Sequence, residues 1–154
     1  MASQPILTAE HEKLWAFVGE WRGEEVLPQS RWMKAGRAEG FVSATTDLGG
    51  FYVSQTYRQE RDGATSFEAR GIFGFDTDDQ HYKLYWFDSL GFVPPAPASG
   101  LWRGDTLRLV RASFRGAARH TYTFRSPDAY TIRIDYAWEG ETWEEVLTGT
   151  YERI

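Results

Sequence analysis

The chain has 154 residues, the size of one domain, and residues 1–154 are read as a single unit. It has no cysteine, a net charge of −5, and no apolar run near the ~20 residues of a membrane-spanning helix. This composition argues against a disulfide scaffold, a general nucleic-acid binder and a helical membrane protein. The opening MASQPILTAEHEK lacks the basic start and apolar core of a signal peptide, so the expected location is the cytoplasm.

Thr8 to Val18 reads as the only helix. Thr8 is its N-cap, Glu10 and Glu12 sit at the positive end of the dipole, and Leu14, Trp15, Phe17 and Val18 form an apolar stripe that Gly19 ends. Everything after it alternates with period two and is punctuated by single glycines, the pattern of an all-β sandwich or barrel. The first strand is Gly19 to Leu27, the second about Ala38 to Thr46, and the third Phe51 to Glu60, followed by an Asp62-Gly63 turn. Ser66 to Ser89 is one hairpin turned at Asp76 to Gln80, and it supplies strands four and five. Asp88 to Pro97 carries three prolines and reads as a loop. Strands six to ten follow at Ser99 to Arg103, Asp105 to Ala112, Arg119 to Arg125, Tyr130 to Trp138 and Thr142 to Arg153. The connections are too short for parallel crossovers, so the expected fold is an antiparallel up-and-down β-barrel of about ten strands, with the helix closing one end.

Gly19-Glu20-Trp21 after a short helix resembles the G-x-W start of lipocalins and other calycins. Together with LWAFVGEWRGEE, GIFGFD, YWFDS, GLWRGDTLRL and GTYERI, nearly the whole chain is similar to an uncharacterised bacterial family, catalogued as a domain of unknown function, with a lipocalin-like barrel. That resemblance implies a fold and no activity. In lipocalins a Trp at this position is covered by an Arg near the chain's end, which here implies Trp21 under Arg153. Fatty-acid-binding proteins share the ten-strand count but carry a helical lid after their first strand. Pro28 to Arg37 is too short for two helices, so the mouth is open or covered by something else.

Alternation assigns the lumen face, taking the face with fewer charges. The candidate ligand-binding residues are Gln55, Tyr57, Trp86, His120, Tyr122, Tyr136 and Glu145, a small set of polar groups among aromatic walls, as small-molecule sites are built. Each polar residue alone is as readily a hydrogen-bonded structural group, and a slipped register would put Glu145 outside. No HExxH, Cys/His cluster or G-x-S-x-G motif is present, so no metal site and no nucleophile elbow are expected. Arg103, Arg108, Arg111, Arg115, Arg119 and Arg125 form a basic segment, which the acidic residues of the next strands are expected to absorb by cross-strand pairing.

Four readings compete. The leading one is a non-enzymatic carrier or sensor for a small apolar molecule, with no cofactor. The second is a haem-binding barrel resembling the nitrobindins, with His120 as axial ligand. The third is an enzyme using His120 and Glu145 as acid and base. The fourth is a homodimer packed through exposed aromatics such as Trp32 or Phe92.

Overall fold

The computed structural model describes residues 3–154. A short helix α1 (Ala9–Lys13) and a 3-10 turn (Leu14–Phe17) precede ten strands. These are β1 (Gly19–Leu27), β2 (Gly36–Asp47), β3 (Tyr52–Arg61), β4 (Ala64–Asp76), β5 (His81–Asp88), β6 (Ala98–Arg103), β7 (Thr106–Ser113), β8 (Gly116–Ser126), β9 (Ala129–Trp138) and β10 (Glu144–Arg153). Every junction is antiparallel between sequence neighbours, and β1 closes the barrel against β10. No helix among the described residues is long and apolar enough to cross a membrane.

The expected Thr8 to Val18 helix is a correction in its second half. After Lys13 the chain tightens to 3-10 geometry. In that geometry residues three apart eclipse one another, so Leu14 and Phe17 point together into the barrel, and both are buried. Trp15 is held sideways by its indole N–H, which donates to the Gly50 carbonyl at 3.0 Å. At the start of α1 the Thr8 backbone N–H donates to His11 Nδ1 at 3.1 Å, so this nitrogen carries no proton. Burial lowers the His11 pKa, which keeps the ring in that neutral form.

The helix end of the barrel is solid. Phe17 stacks on Phe73 with ring centroids 4.5 Å apart and meets Tyr122 and Phe124 edge-on, each at 5.0 Å. Trp21 donates from its indole to the Phe17 carbonyl at 2.9 Å, fixing the plug to β1. Over the outside of Trp21 lies Arg153, its register partner in β10, with the guanidinium carbon 4.2 Å from the ring centroid. The same guanidinium donates to the Val18 carbonyl at 2.5 Å and the Pro127 carbonyl at 2.9 Å, and contacts Asp128 at 3.1 Å. It therefore ties the helix exit, the β8–β9 turn and the last strand together. Arg153→Ala is expected to lower stability by roughly 1–2 kcal/mol, and Arg153→Lys to restore only part of it, because a lysine makes fewer of these bonds and stacks poorly. Thermal melts read this directly, and parental melting of both variants would show that the contacts carry no stability.

The wall is uneven. β5 and β6 pair only through Tyr82, Lys83 and Leu84 with Gly100, Ser99 and Ala98. Pro94, Pro95 and Pro97 occupy the stretch before β6 begins, and a proline nitrogen has no proton to give a ladder. Tyr85 to Asp88 therefore run on without a partner on that side.

Candidate functional site

At the end opposite the helix the barrel is hollow. A cavity of ≈ 130 Å³ opens among Tyr57, Trp86, His120, Ile134, Tyr136 and Leu147. Beneath it, toward the plug, lies a second space of ≈ 20 Å³ touched by Glu25, Gln55, Tyr122 and Tyr151. Tyr57, Trp86, Ile134 and Leu147 wall both, so the two stack as one column inside the barrel.

Trp32, on the β1–β2 loop, covers the mouth. It stacks on Trp138 at 5.1 Å and meets Tyr136 at 5.6 Å and Phe92 at 5.7 Å edge-on. The loop is shaped by Ser30, whose hydroxyl accepts from the backbone N–H groups of Trp32 (3.2 Å) and Met33 (3.1 Å). Arg31 holds it down, lying 4.0 Å over the Trp138 ring and pairing with Glu141 at 3.2 Å. Trp32 and Phe92, expected as a dimer surface, are thus packed on each other within the chain. Phe92 keeps 45% of its surface exposed beside this contact, and the mouth is covered by a short loop with a single indole.

Of the residues singled out in the sequence, Tyr57, Trp86, His120 and Tyr136 line the upper cavity, while Gln55 and Tyr122 line the lower one. Glu145 is in neither. A bulge between Glu145 and Leu147 inserts Val146 into β10, so Val146 and Leu147 both reach the cavity and the residues before them change face. Glu145 sits outside, 3.5 Å from Arg133. Trp143 is outside as well, under the Arg119 guanidinium at 4.2 Å. The His120/Glu145 acid–base pair is therefore not assembled. The basic segment is also paired less than expected: of its six arginines, Arg119 alone finds a carboxylate among the described residues, Asp135 at 3.2 Å. Arg115 instead lies 4.2 Å over Phe92 at the rim.

The carboxylate inside the barrel is Glu25, which sequence reasoning passed over. It lies on the Trp21 face of β1, with 1% of its surface exposed. The Tyr57 hydroxyl donates to it at 2.7 Å, Gln59 Nε2 donates at 3.1 Å, and the Tyr151 hydroxyl donates as well. Two glycines make the space. Gly23 faces Gly40 across the β1–β2 ladder and Tyr151 across the β1–β10 ladder. A Cβ at Gly40 would stand 1.9 Å from the Tyr151 hydroxyl, and one at Gly23 would stand 2.6 Å from its ring. The missing side chains let the Tyr151 ring lie across the wall and bring its hydroxyl to Glu25.

Burial raises the Glu25 pKa above the ordinary carboxylate value, against the pull of its three donors. Burial and the neighbouring carboxylate push the Tyr57 and Tyr151 hydroxyls well up, so both stay protonated and keep donating. His120 lies edge-on to Trp86 at 5.1 Å, with Nδ1 3.5 Å from the Tyr122 hydroxyl. Burial, aided by the Arg111 charge, lowers its pKa to about 4, so it enters the cavity as a neutral imidazole.

Fold and site together define a closed ten-stranded antiparallel barrel, plugged at one end and hollow at the other, with a buried carboxylate beside its floor. The chain belongs to the DUF1579 family, described as a protein of unknown function, which it matches over residues 7–153. No curated protein matches it. Among solved structures it is similar to Rv2717c from M. tuberculosis (TM-score 0.73, 14% identity, covering 97% of this chain and 99% of that one). It is also similar to the S-type phycobiliprotein lyase CPES from Guillardia theta (TM-score 0.71, 14% identity, covering 96% and 93%). At such identities the likeness is one of fold.

Proposed function

We propose that the barrel binds a small, mostly apolar, flat molecule in its open-end cavity and holds it without transforming it. The observation that carries this is the hollow column itself. In a protein whose other end is packed solid with rings, the space between Tyr57, Trp86, His120 and Tyr136 is left unfilled. Aromatic walls with a few fixed polar groups suit such an occupant. Fixing His120 neutral, away from any carboxylate partner, favours holding over acid–base chemistry. The phycobiliprotein lyase likeness supports a barrel of this shape serving a small-molecule role.

The size of the space narrows the class. A volume of ≈ 130 Å³ is well under the roughly 300–1,000 Å³ of drug-sized ligand pockets, so the occupant is of bicyclic size unless Trp32 swings aside. A haem macrocycle does not fit beneath the closed Trp32 loop, although a neutral His120 is chemically able to ligate iron.

Benzofuran, a flat bicycle with no hydrogen-bond donor, tests the reading on ¹⁵N-labelled protein. Adding it is expected to shift the indole N–H resonances of Trp86 and Trp32 and to leave that of Trp21, sealed in the plug, in place. No shift at millimolar benzofuran, and none with its N–H analogue indole, would remove the lumen from consideration. Hemin is the control for the competing reading: a sharp Soret band lost in His120→Ala would favour haem instead.

A further inference from the structure

The lower cavity holds an unmet hydrogen bond. Gln55 has 6% of its surface exposed, and its Oε1 is the one buried side-chain polar atom without a partner among the described residues. The cause lies in the register: Gln55 faces Ala44 across the β2–β3 ladder and Gly71 across the β3–β4 ladder, neither of which has a polar side chain to offer. A buried oxygen in that position costs stability of a size that proteins ordinarily avoid. The neighbouring polar groups do not relieve it. The hydroxyls of Tyr57 and Tyr151 and the amide of Gln59 are all committed to Glu25.

The space beside it is small. Gln55 and Glu25 both touch the ≈ 20 Å³ cavity, together with the hydroxyl-bearing Tyr122 and Tyr130. The cationic groups of this end, Arg111 and Arg115, touch the upper cavity and not the lower one. An incoming acceptor or carboxylate would set oxygen against Gln55 Oε1, whereas an N–H or O–H would meet its complement. The space holds roughly one water or one polar head, since a single water needs about 10–15 Å³.

We infer that the molecule held in the barrel carries an N–H or O–H donor at its buried end and that Gln55 Oε1 accepts this hydrogen bond. The inference rests on the lumen-binding reading above and adds its polarity. Entry is from the open end: the apolar body lies against Tyr57 and Trp86, which wall both cavities, and the donor leads. The recognised class is thus a bicyclic aromatic amine, azole or phenol. A fatty acid, whose carboxylate would lead, is of the wrong polarity.

Indole and benzofuran make the matched pair, alike in shape and differing by N–H against ring oxygen. Titrated separately into the ¹⁵N-labelled protein, indole is expected to bind about tenfold more tightly, and Gln55→Leu to abolish the difference by weakening indole alone. Equal affinities in the parent protein would mean that water alone serves Gln55, and would overturn the inference while leaving the lumen reading intact. Indole preference surviving in Gln55→Leu would overturn it too, because the donor would then be read elsewhere. If neither probe binds, the lumen reading and the inference fall together. The comparison in the parent protein needs no variant, so a Gln55→Leu chain that fails to fold does not shelter the idea.

Discussion

Glu25→Ala is expected to lower the unfolding free energy by about 3–5 kcal/mol, while Glu25→Gln restores most of the loss. The alanine leaves two tyrosine hydroxyls and the Gln59 amide facing a void at the centre of the barrel. Each unmet donor costs about 1–3 kcal/mol, reduced where water enters the space. Glutamine keeps an oxygen for Tyr57 and offers an amide that the Tyr151 hydroxyl can accept after rotating. The two variants also separate geometry from charge. Because burial raises the Glu25 pKa, the folded state holds its proton to higher pH than the unfolded chain does. Stability therefore falls as pH rises from the ordinary carboxylate value through the raised one. Glu25→Gln lacks that slope and overtakes the parent on the alkaline side. Urea denaturation at several pH values measures both effects, and an alanine variant as stable as the glutamine one would show that the cluster contributes nothing.

Acidification from pH 7 to pH 4 is expected to cost the parent protein about 3 kcal/mol more than His120→Gln. The folded His120 titrates at about 4, against an ordinary value of 6.5. Between those values the unfolded chain takes up a proton that the folded chain refuses. Stability thus falls as pH drops below 6.5 and levels once the folded ring protonates. His11, also lowered by burial, adds loss of the same sign, and Glu25 opposes it, but both are present in parent and variant and cancel in the difference. Chemical denaturation of the two proteins at pH 7, 5.5 and 4 gives the result. Parallel profiles would mean that His120 is hydrated in solution and titrates normally.

Much of the barrel was legible because its signals are local. The bounds of β1 at Gly19 and Leu27, the Asp62-Gly63 turn and the hairpin turned after Asp76 all follow from alternation and turn chemistry. Alternation likewise put Tyr57, Trp86, His120 and Tyr136 on the inner face, where they line the upper cavity, but it did not say which end is hollow. Glu145 was misplaced because one inserted residue reverses every side chain before it, and nothing in ETWEEVL marks where the insertion falls. Glu25 was missed for a different reason. Its parity with Trp21 put it inside, but a rule that seeks the face with fewer charges stops short of a carboxylate. The usable signal was the pair Gly23 and Gly40, two absent side chains on one face that make sense only if a large ring fills their place. The same parity runs from Gln55 through Tyr57 to Gln59, so Gln59, a donor to Glu25, was within reach of the alternation that found Gln55 and Tyr57.

The short β5–β6 junction means that the wall does not yield evenly. With only Tyr82 to Leu84 paired and prolines standing where more ladder could form, separating β5 from β6 sacrifices fewer hydrogen bonds than parting its neighbours β4 and β5. Trp86, which walls both cavities, stands on the strand that borders this weak seam. For a guest held as proposed, this seam would be the part of the wall that parts most readily, besides the mouth under Trp32. Its rate of departure would then follow the breathing of that seam, and the strength of its hold the fixed rings and oxygens within. Affinity and residence time would then be separately adjustable: substitutions in the Pro94 to Pro97 stretch would act on the clock, and those around Gln55 and Glu25 on the grip.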